Sequence, residues 1–138
     1  MEIFVQDRSS RQHTRYGIQK DKPEFLEKKI TTELYITIGN ETVPAIIDDI
    51  SMSGFGFSII DLDETGMQLL EEIEDFFVQL ELNDDSAVSH VKKVWTLRKQ
   101  DEKGIIIRGG ASFDVLSGED RKIIQKFVDK LHSIHGNL

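Results

Sequence analysis

The sequence predicts a mainly β domain, a six-stranded antiparallel barrel or sandwich followed by one C-terminal amphipathic helix. Three observations carry this expectation. Short segments rich in β-branched and aromatic residues recur along the chain, separated by Gly, Asn and Asp turn signals. Apolar residues within them alternate with period two, as Phe55, Phe57 and Ile59 do. After Ser117 the spacing changes to three and four, through Ile123, Ile124, Phe127, Val128, Leu131 and Ile134.

In chain order, the first strand segments are 28–39 (KKITTELYITIG), 41–51 (ETVPAIIDDIS) and 54–60 (GFGFSII), with Gly39 and Asn40 turning between the first two. Pro44 has no amide hydrogen, so its strand begins, or lies at a sheet edge, near that point. The alternation at 46–51 conflicts with itself. Ile46, Asp48 and Ile50 share one face while Ile47, Asp49 and Ser51 share the other, so a bulge is expected near Asp48. The acidic segment 63–75 reads as a loop with a short helical turn. Three more strands follow at 76–82, 88–97 and 104–113, with Trp95 among valines and leucine assigned to the core. Ser117 and Asp120 form a capping box that starts the helix, and Gly136 stands where a helix-ending glycine belongs. An isolated helix of this length is marginal in water, so its apolar stripe is expected to cover an end or side of the barrel.

Composition removes many function classes. A chain of 138 residues, 38% apolar and 30% charged, suits one soluble domain with a hydrophobic core. Twenty-five Asp and Glu against 17 Lys and Arg leave a formal charge of −8, which disfavours nucleic-acid polymers and anionic membranes as partners. The absence of cysteine excludes disulfides, thiolate zinc sites and cysteine nucleophiles. No apolar run reaches the roughly 18 residues of a membrane span, and the N-terminus lacks a signal-peptide core. A cytoplasmic protein without membrane insertion is therefore expected.

Charge is distributed unevenly. Residues 1–20 carry Arg8, Arg11, Arg15 and Lys20 against Glu2 and Asp7, whereas 30–91 contain no Lys or Arg. The expected organisation is a flexible N-terminal arm at 1–20, mobile unless something ties it down, and a barrel plus helix at 21–138. His132 and His135, three apart near the helix end, read as cations that complement the helix dipole rather than as a metal pair. His90 has no partner assignable from sequence. The ten acids between Asp61 and Asp85 read as a solvated face or a partner's docking surface.

Two constellations carry chemistry. Arg11 and Arg15 form an R-x-x-x-R, in which both guanidinium forks can converge on phosphate oxygens or a guanine edge. The alternative is two solvated arginines on a tail. Asp49, Ser51 and Gly54 form a D-x-S-x-x-G at a strand end. A carboxylate there can accept from guanine N1–H and N2 amino groups, the hydroxyl adds an adaptable partner, and the glycine permits a close approach. The alternative is a strand that ends in a polar Ser-Gly turn.

Together with DISMSGFGF at 49–57, VKKVW at 91–95, GASF at 110–113 and the closing helix SGEDRKIIQKFVDKL, these motifs resemble the PilZ domain family over nearly the whole chain from Arg8 onward. The resemblance implies a six-stranded antiparallel barrel with a C-terminal helix, and a receptor for the bacterial second messenger cyclic di-GMP. It implies that Arg11 and Arg15 contact the ligand's phosphates and guanine faces. Asp49 and Ser51 would read a guanine edge, and Gly54 would let the backbone approach. Two departures stand out. The 34 positions from Arg15 to Asp49 exceed the family's usual spacing, with 21–29 as the insertion. Gln12 occupies a place often basic in the family, for which Arg8 is a candidate substitute, or a contact to a second stacked nucleotide.

Three functions follow from these residues. The leading one is a cyclic di-GMP receptor that orders its arm on binding and signals to a protein partner, with no other cofactor. The second is an adaptor on the same fold that binds proteins and no nucleotide. The third, an enzyme, finds no nucleophile elbow, metal-ligand cluster or phosphate loop in the sequence and is not expected.

Overall fold

The computed structural model describes residues 16–18, 30–60, 62–102 and 104–135. Arg8, Arg11, Arg15, the 21–29 insertion and Gly136 lie outside these residues. The element order is β1 (Tyr16–Gly17), β2 (Thr32–Ile38), β3 (Glu41–Ile50), β4 (Gly54–Ile59), α1 (Glu64–Glu72), β5 (Asp75–Leu82), β6 (Asp85–Asp101), β7 (Gly104–Val115) and α2 (Gly118–His135).

Strands β2 to β7 close into a six-stranded antiparallel ring, β3-β2-β5-β6-β7-β4, which the β3–β4 pairing completes. Closure leaves the ring without a free edge. It is possible because β3 changes neighbours along its length. Residues 41–45 pair with β2, and from Ile46 onward the strand pairs with β4. Pro44 therefore sits where only β2 flanks the strand, in keeping with its missing amide. Beyond Ala45 the side that β2 has left is open, and β1 takes it, with Tyr16 opposite Ile50 and Gly17 opposite Asp49.

The bulge occurs between Ile47 and Asp49. It resolves the alternation conflict, because Ile47 and Ile50, three residues apart, are both buried. On β4, Phe55, Phe57 and Ile59 all point inward and are buried. Phe57 meets Phe76 edge-on at 6.1 Å, and Phe55 lies 5.6 Å from Phe113, so aromatic contacts join β4 to β5 and β7.

Helix α2 buries Ile124, Phe127, Val128, Leu131 and Ile134 along one stripe and packs against β6, β5 and β1. Ser117 caps it: the Asp120 amide donates to Ser117 Oγ at 3.1 Å, and Ser117 Oγ in turn donates to Asp120 Oδ2 at 2.6 Å. Among the described residues no helix is long and apolar enough to cross a membrane.

Two expectations require correction. The acidic segment is no loop with a single turn, since α1 runs for nine residues. Asp63 caps it by accepting from the Gly66 amide at 2.7 Å, while Met67 and Leu70 reach the core. Its C-terminal carbonyls are held by β6, where Lys93 Nζ donates to Leu70 O at 2.9 Å and to Glu71 O at 2.7 Å. Arg98 bonds the Glu71 carboxylate at 2.8 Å, so β6 neutralises part of the acidic stretch. Trp95 is not in the core either. It is 44% exposed, because a second register shift between Lys93 and Trp95 puts the indole on the barrel's outer surface.

Candidate functional site

The end of β3 gathers the D-x-S-x-x-G residues, and their geometry follows from local chemistry. Asp49 is half-buried, and its Oδ1 accepts from the Gly56 amide at 2.9 Å. That amide is within reach because Gly56 stands opposite Asp49 in the ladder and has no side chain. A Cβ there would lie 2.8 Å from Asp49 Oδ1. Ser51 is buried, and its polar atoms close the β3–β4 turn. The Ser51 amide donates to Gly54 O at 2.8 Å, and its hydroxyl oxygen accepts from the Ser53 amide at 3.0 Å. Gly54 also has a defined packing role. A Cβ would lie 2.9 Å from Ser112 Cα and closer still to the Ala111 carbonyl, so the close approach at this glycine is made by β7.

From Asp49 a row crosses four strands on the outer face. Asp49 pairs with Gly56, Gly56 with Gly110, and Gly110 with Trp95. The indole lies over Gly110, where a Cβ would stand 2.5 Å from Trp95 Nε1. The result is a lane in which the two glycines make room for their neighbours, the Asp49 carboxylate over Gly56 and the Trp95 indole over Gly110. Along one side run Ser58 and Arg108, paired with each other. Ser58 Oγ donates to Asp48 Oδ2 at 2.6 Å, and Arg108 Nε lies 3.9 Å from the same oxygen. Arg108, Trp95, Gly56 and Gly110 were not singled out as site residues from sequence. The glycines at alternate positions of GFGF and the paired Gly109-Gly110 were the available signal.

The arm's root joins this row. β1 pairs with β3 at Ile50 and Asp49, and the Ile18 amide donates to Asp48 O at 3.0 Å. Tyr16 is thus fixed opposite Ile50, and Gly17 opposite Asp49 of the D-x-S-x-x-G motif. Of the two motifs the described residues include Asp49, Ser51 and Gly54, while Arg11 and Arg15 lie outside them. The expected arm at 1–20 is tied down at 16–18. The helix histidines, in the last turn of α2, take part in this: Tyr16 Oη and His132 Nδ1 are 2.7 Å apart, and His135 Nε2 donates to Gly17 O at 3.1 Å.

Away from the lane, His90 on β6 bridges two strands. Its Nε2 lies 3.1 Å from Asp75 Oδ1 on β5, and its Nδ1 lies 2.9 Å from Asp114 Oδ2 on β7. The hydrogen bond to Asp75, then that to Asp114, raises the imidazole pKa above its ordinary value, against a smaller opposing effect of burial. A folded-state pKa above the unfolded one contributes stability that is complete below about pH 6.5 and lost as pH rises through the raised value. We therefore expect His90→Gln to reduce the urea midpoint more at pH 6 than at pH 9. Equal reductions at both pH values would exclude charge as the cause.

No protein-family model and no curated protein matches the chain. Solved structures do. The PlzA protein of Borreliella burgdorferi in complex with c-di-GMP is 17% identical, with a TM-score of 0.64, over 96% of this chain and 56% of that one. The K. pneumonia MrkH–c-di-GMP complex is 14% identical, with a TM-score of 0.69, over 92% of this chain and 54% of that one. The chain thus spans about half the length of these two proteins. The PilZ domain of Escherichia coli YcgR with c-di-GMP is 15% identical, with a TM-score of 0.56, over 94% of this chain and 99% of that one. The closed ring, the extra strand beside β3 and the covering helix, together with this likeness, establish that the chain has a PilZ-type fold.

Proposed function

We propose that this chain is a receptor for cyclic di-GMP, bound between the arginines of the arm and the outer lane of the barrel. One observation carries the reading: β1, which begins at the residue after Arg15, pairs with the end of β3, Tyr16 opposite Ile50 and Gly17 opposite Asp49. This supports a shared site for the two motifs, which are 34 positions apart in sequence. Arg11 and Arg15 take the phosphates and stack on the bases. Asp49 accepts from a guanine edge, with Ser51 and Gly54 holding the turn and strand that present it. The exposed Trp95 indole, lying over Gly110, offers a face on which a planar base can stack.

The energetics allow it. Micromolar affinity requires about 8 kcal/mol. Charge-assisted hydrogen bonds contribute about 1.5–3 kcal/mol each and base stacking about 1–3 kcal/mol per base. Ordering the arm opposes binding by about 1–2 kcal/mol per residue fixed. The net charge of −8 opposes a dianion weakly, because salt screens charges beyond about 8 Å. The chain acts as a switch without catalysis: the arm closes over the nucleotide and presents a new surface to a protein partner.

Calorimetric titration of the intact protein tests this, with cyclic di-GMP in one arm and GTP in the other. Saturable heat with the cyclic dinucleotide and none with GTP is the expected result, and its molar ratio distinguishes a single nucleotide from a stacked pair. Absence of heat in both arms would overturn the receptor reading and leave the adaptor, which the internal engagement of the Ser51 hydroxyl favours.

A further inference from the structure

A two-residue strand is a weak attachment. β1 lies outside the ring and pairs with β3 alone, far short of the three or more strands that make a sheet independently stable. Something else must hold the arm's root in register. The last turn of α2 supplies it through two histidines three positions apart, which therefore share a helix face. Tyr16 Oη and His132 Nδ1 are 2.7 Å apart, and the two rings meet edge-on with centroids at 5.7 Å. His135 lies under the same phenol at 5.5 Å, and its Nε2 donates to the carbonyl of Gly17 at 3.1 Å.

The hydrogen bonds are mutually consistent. A carbonyl only accepts, so His135 carries its proton on Nε2. The Tyr16 hydroxyl both donates and accepts, so it pairs with His132 Nδ1 whichever ring nitrogen of His132 carries the proton. Each residue of β1 is thereby gripped from the helix side while its backbone pairs with Ile50 and Asp49 on the other.

We propose that Tyr16, His132 and His135 form a clasp that fixes the root of the arginine arm on β3, and that the clasp sets ligand affinity by pre-orienting the arm. They are positioning residues: they act through the register of β1 and not by contact with the nucleotide. The last turn of α2 and the ligand site are then coupled. Anything that displaces that turn weakens binding, and bound ligand steadies the turn by the same factor. The affinity part rests on the receptor reading above. The clasp itself does not, and the test separates the two.

The variants are Tyr16→Phe, which keeps the ring and removes the hydroxyl, His132→Ala, which removes the hydroxyl's partner, and His132→Asn, whose amide restores a hydrogen-bonding group near the place of Nδ1. Hydrogen exchange of the Ile18 amide, which donates to Asp48 O, is measured without ligand, and cyclic di-GMP affinity by calorimetry. Tyr16→Phe and His132→Ala are each expected to speed exchange and weaken affinity about fivefold, the worth of one hydrogen bond. His132→Asn is expected to recover most of both, with urea midpoints little changed throughout. Unaltered exchange in Tyr16→Phe and His132→Ala would overturn the clasp whether or not the protein binds nucleotide. Faster exchange with unaltered affinity would overturn the coupling. Failure of the native protein to bind at all, with exchange responding as expected, would remove the receptor reading and the coupling built on it, and leave the clasp standing.

Discussion

Gly54→Ala is expected to destabilise the fold by at least about 3 kcal/mol, at the upper end of what overpacking costs in a well-packed interior. The new methyl would meet the Ala111 carbonyl and stand 2.9 Å from Ser112 Cα. Both are backbone atoms of β7, and neither can swing aside as a flexible side chain would. Relief requires β4 and β7 to part where Gly54 pairs with Ser112 and Phe55 with Ala111, which loosens Phe55 in the core. A urea-denaturation midpoint reads the effect. Gly118→Ala serves as the control: no atom lies within 4 Å of its Cβ, so its change should stay within about 0.5 kcal/mol. Equal midpoints for the two variants would show that β7 yields more easily than its backbone contacts imply. The consequence for function is direct. Loss of ligand binding in Gly54→Ala reports a disrupted barrel, so it is no evidence that Gly54 touches a ligand.

Arg15→Ala should instead spare stability and lower cyclic di-GMP affinity at least about thirtyfold, the equivalent of about 2 kcal/mol. The magnitude follows from losing at least one charge-assisted bond to phosphate together with the guanidinium's stacking face. The two variants thus form a contrasting pair, one moving the denaturation midpoint and the other the binding isotherm. Raised salt should weaken the native protein more than Arg15→Ala, because the variant has lost part of the interaction that salt screens. Near-native affinity in Arg15→Ala would remove that residue from the site.

Much of the barrel was legible in one dimension because its signals are local. Phe55, Phe57 and Ile59 alternate and all point inward, and Ser117 caps α2 by accepting from the Asp120 amide. The conflict of faces at 46–51 even located the bulge. Two isoleucines three apart cannot both enter a core from a regular strand, and the backbone yields between Ile47 and Asp49. The segment that forms α1 was underestimated because its stability is not local: Lys93, some 20 positions downstream, holds its last carbonyls.

The sequence alone determined the fold class, the helix and its stripe, and the residue types able to meet a phosphate or a guanine edge. Tertiary structure decided what shares a surface. Trp95 faces outward over Gly110 because a register shift in β6 reversed its side, which composition around it does not encode. His90 acquired two carboxylates only when β5 and β7 closed around β6. Tyr16 found His132 across 116 positions, and Gly17 found His135 across 118. The physical reason is common to all of these. Periodicity and capping are set by neighbours a few residues apart, whereas ring closure brings distant strands to hydrogen-bonding distance and so chooses partners that no local pattern contains.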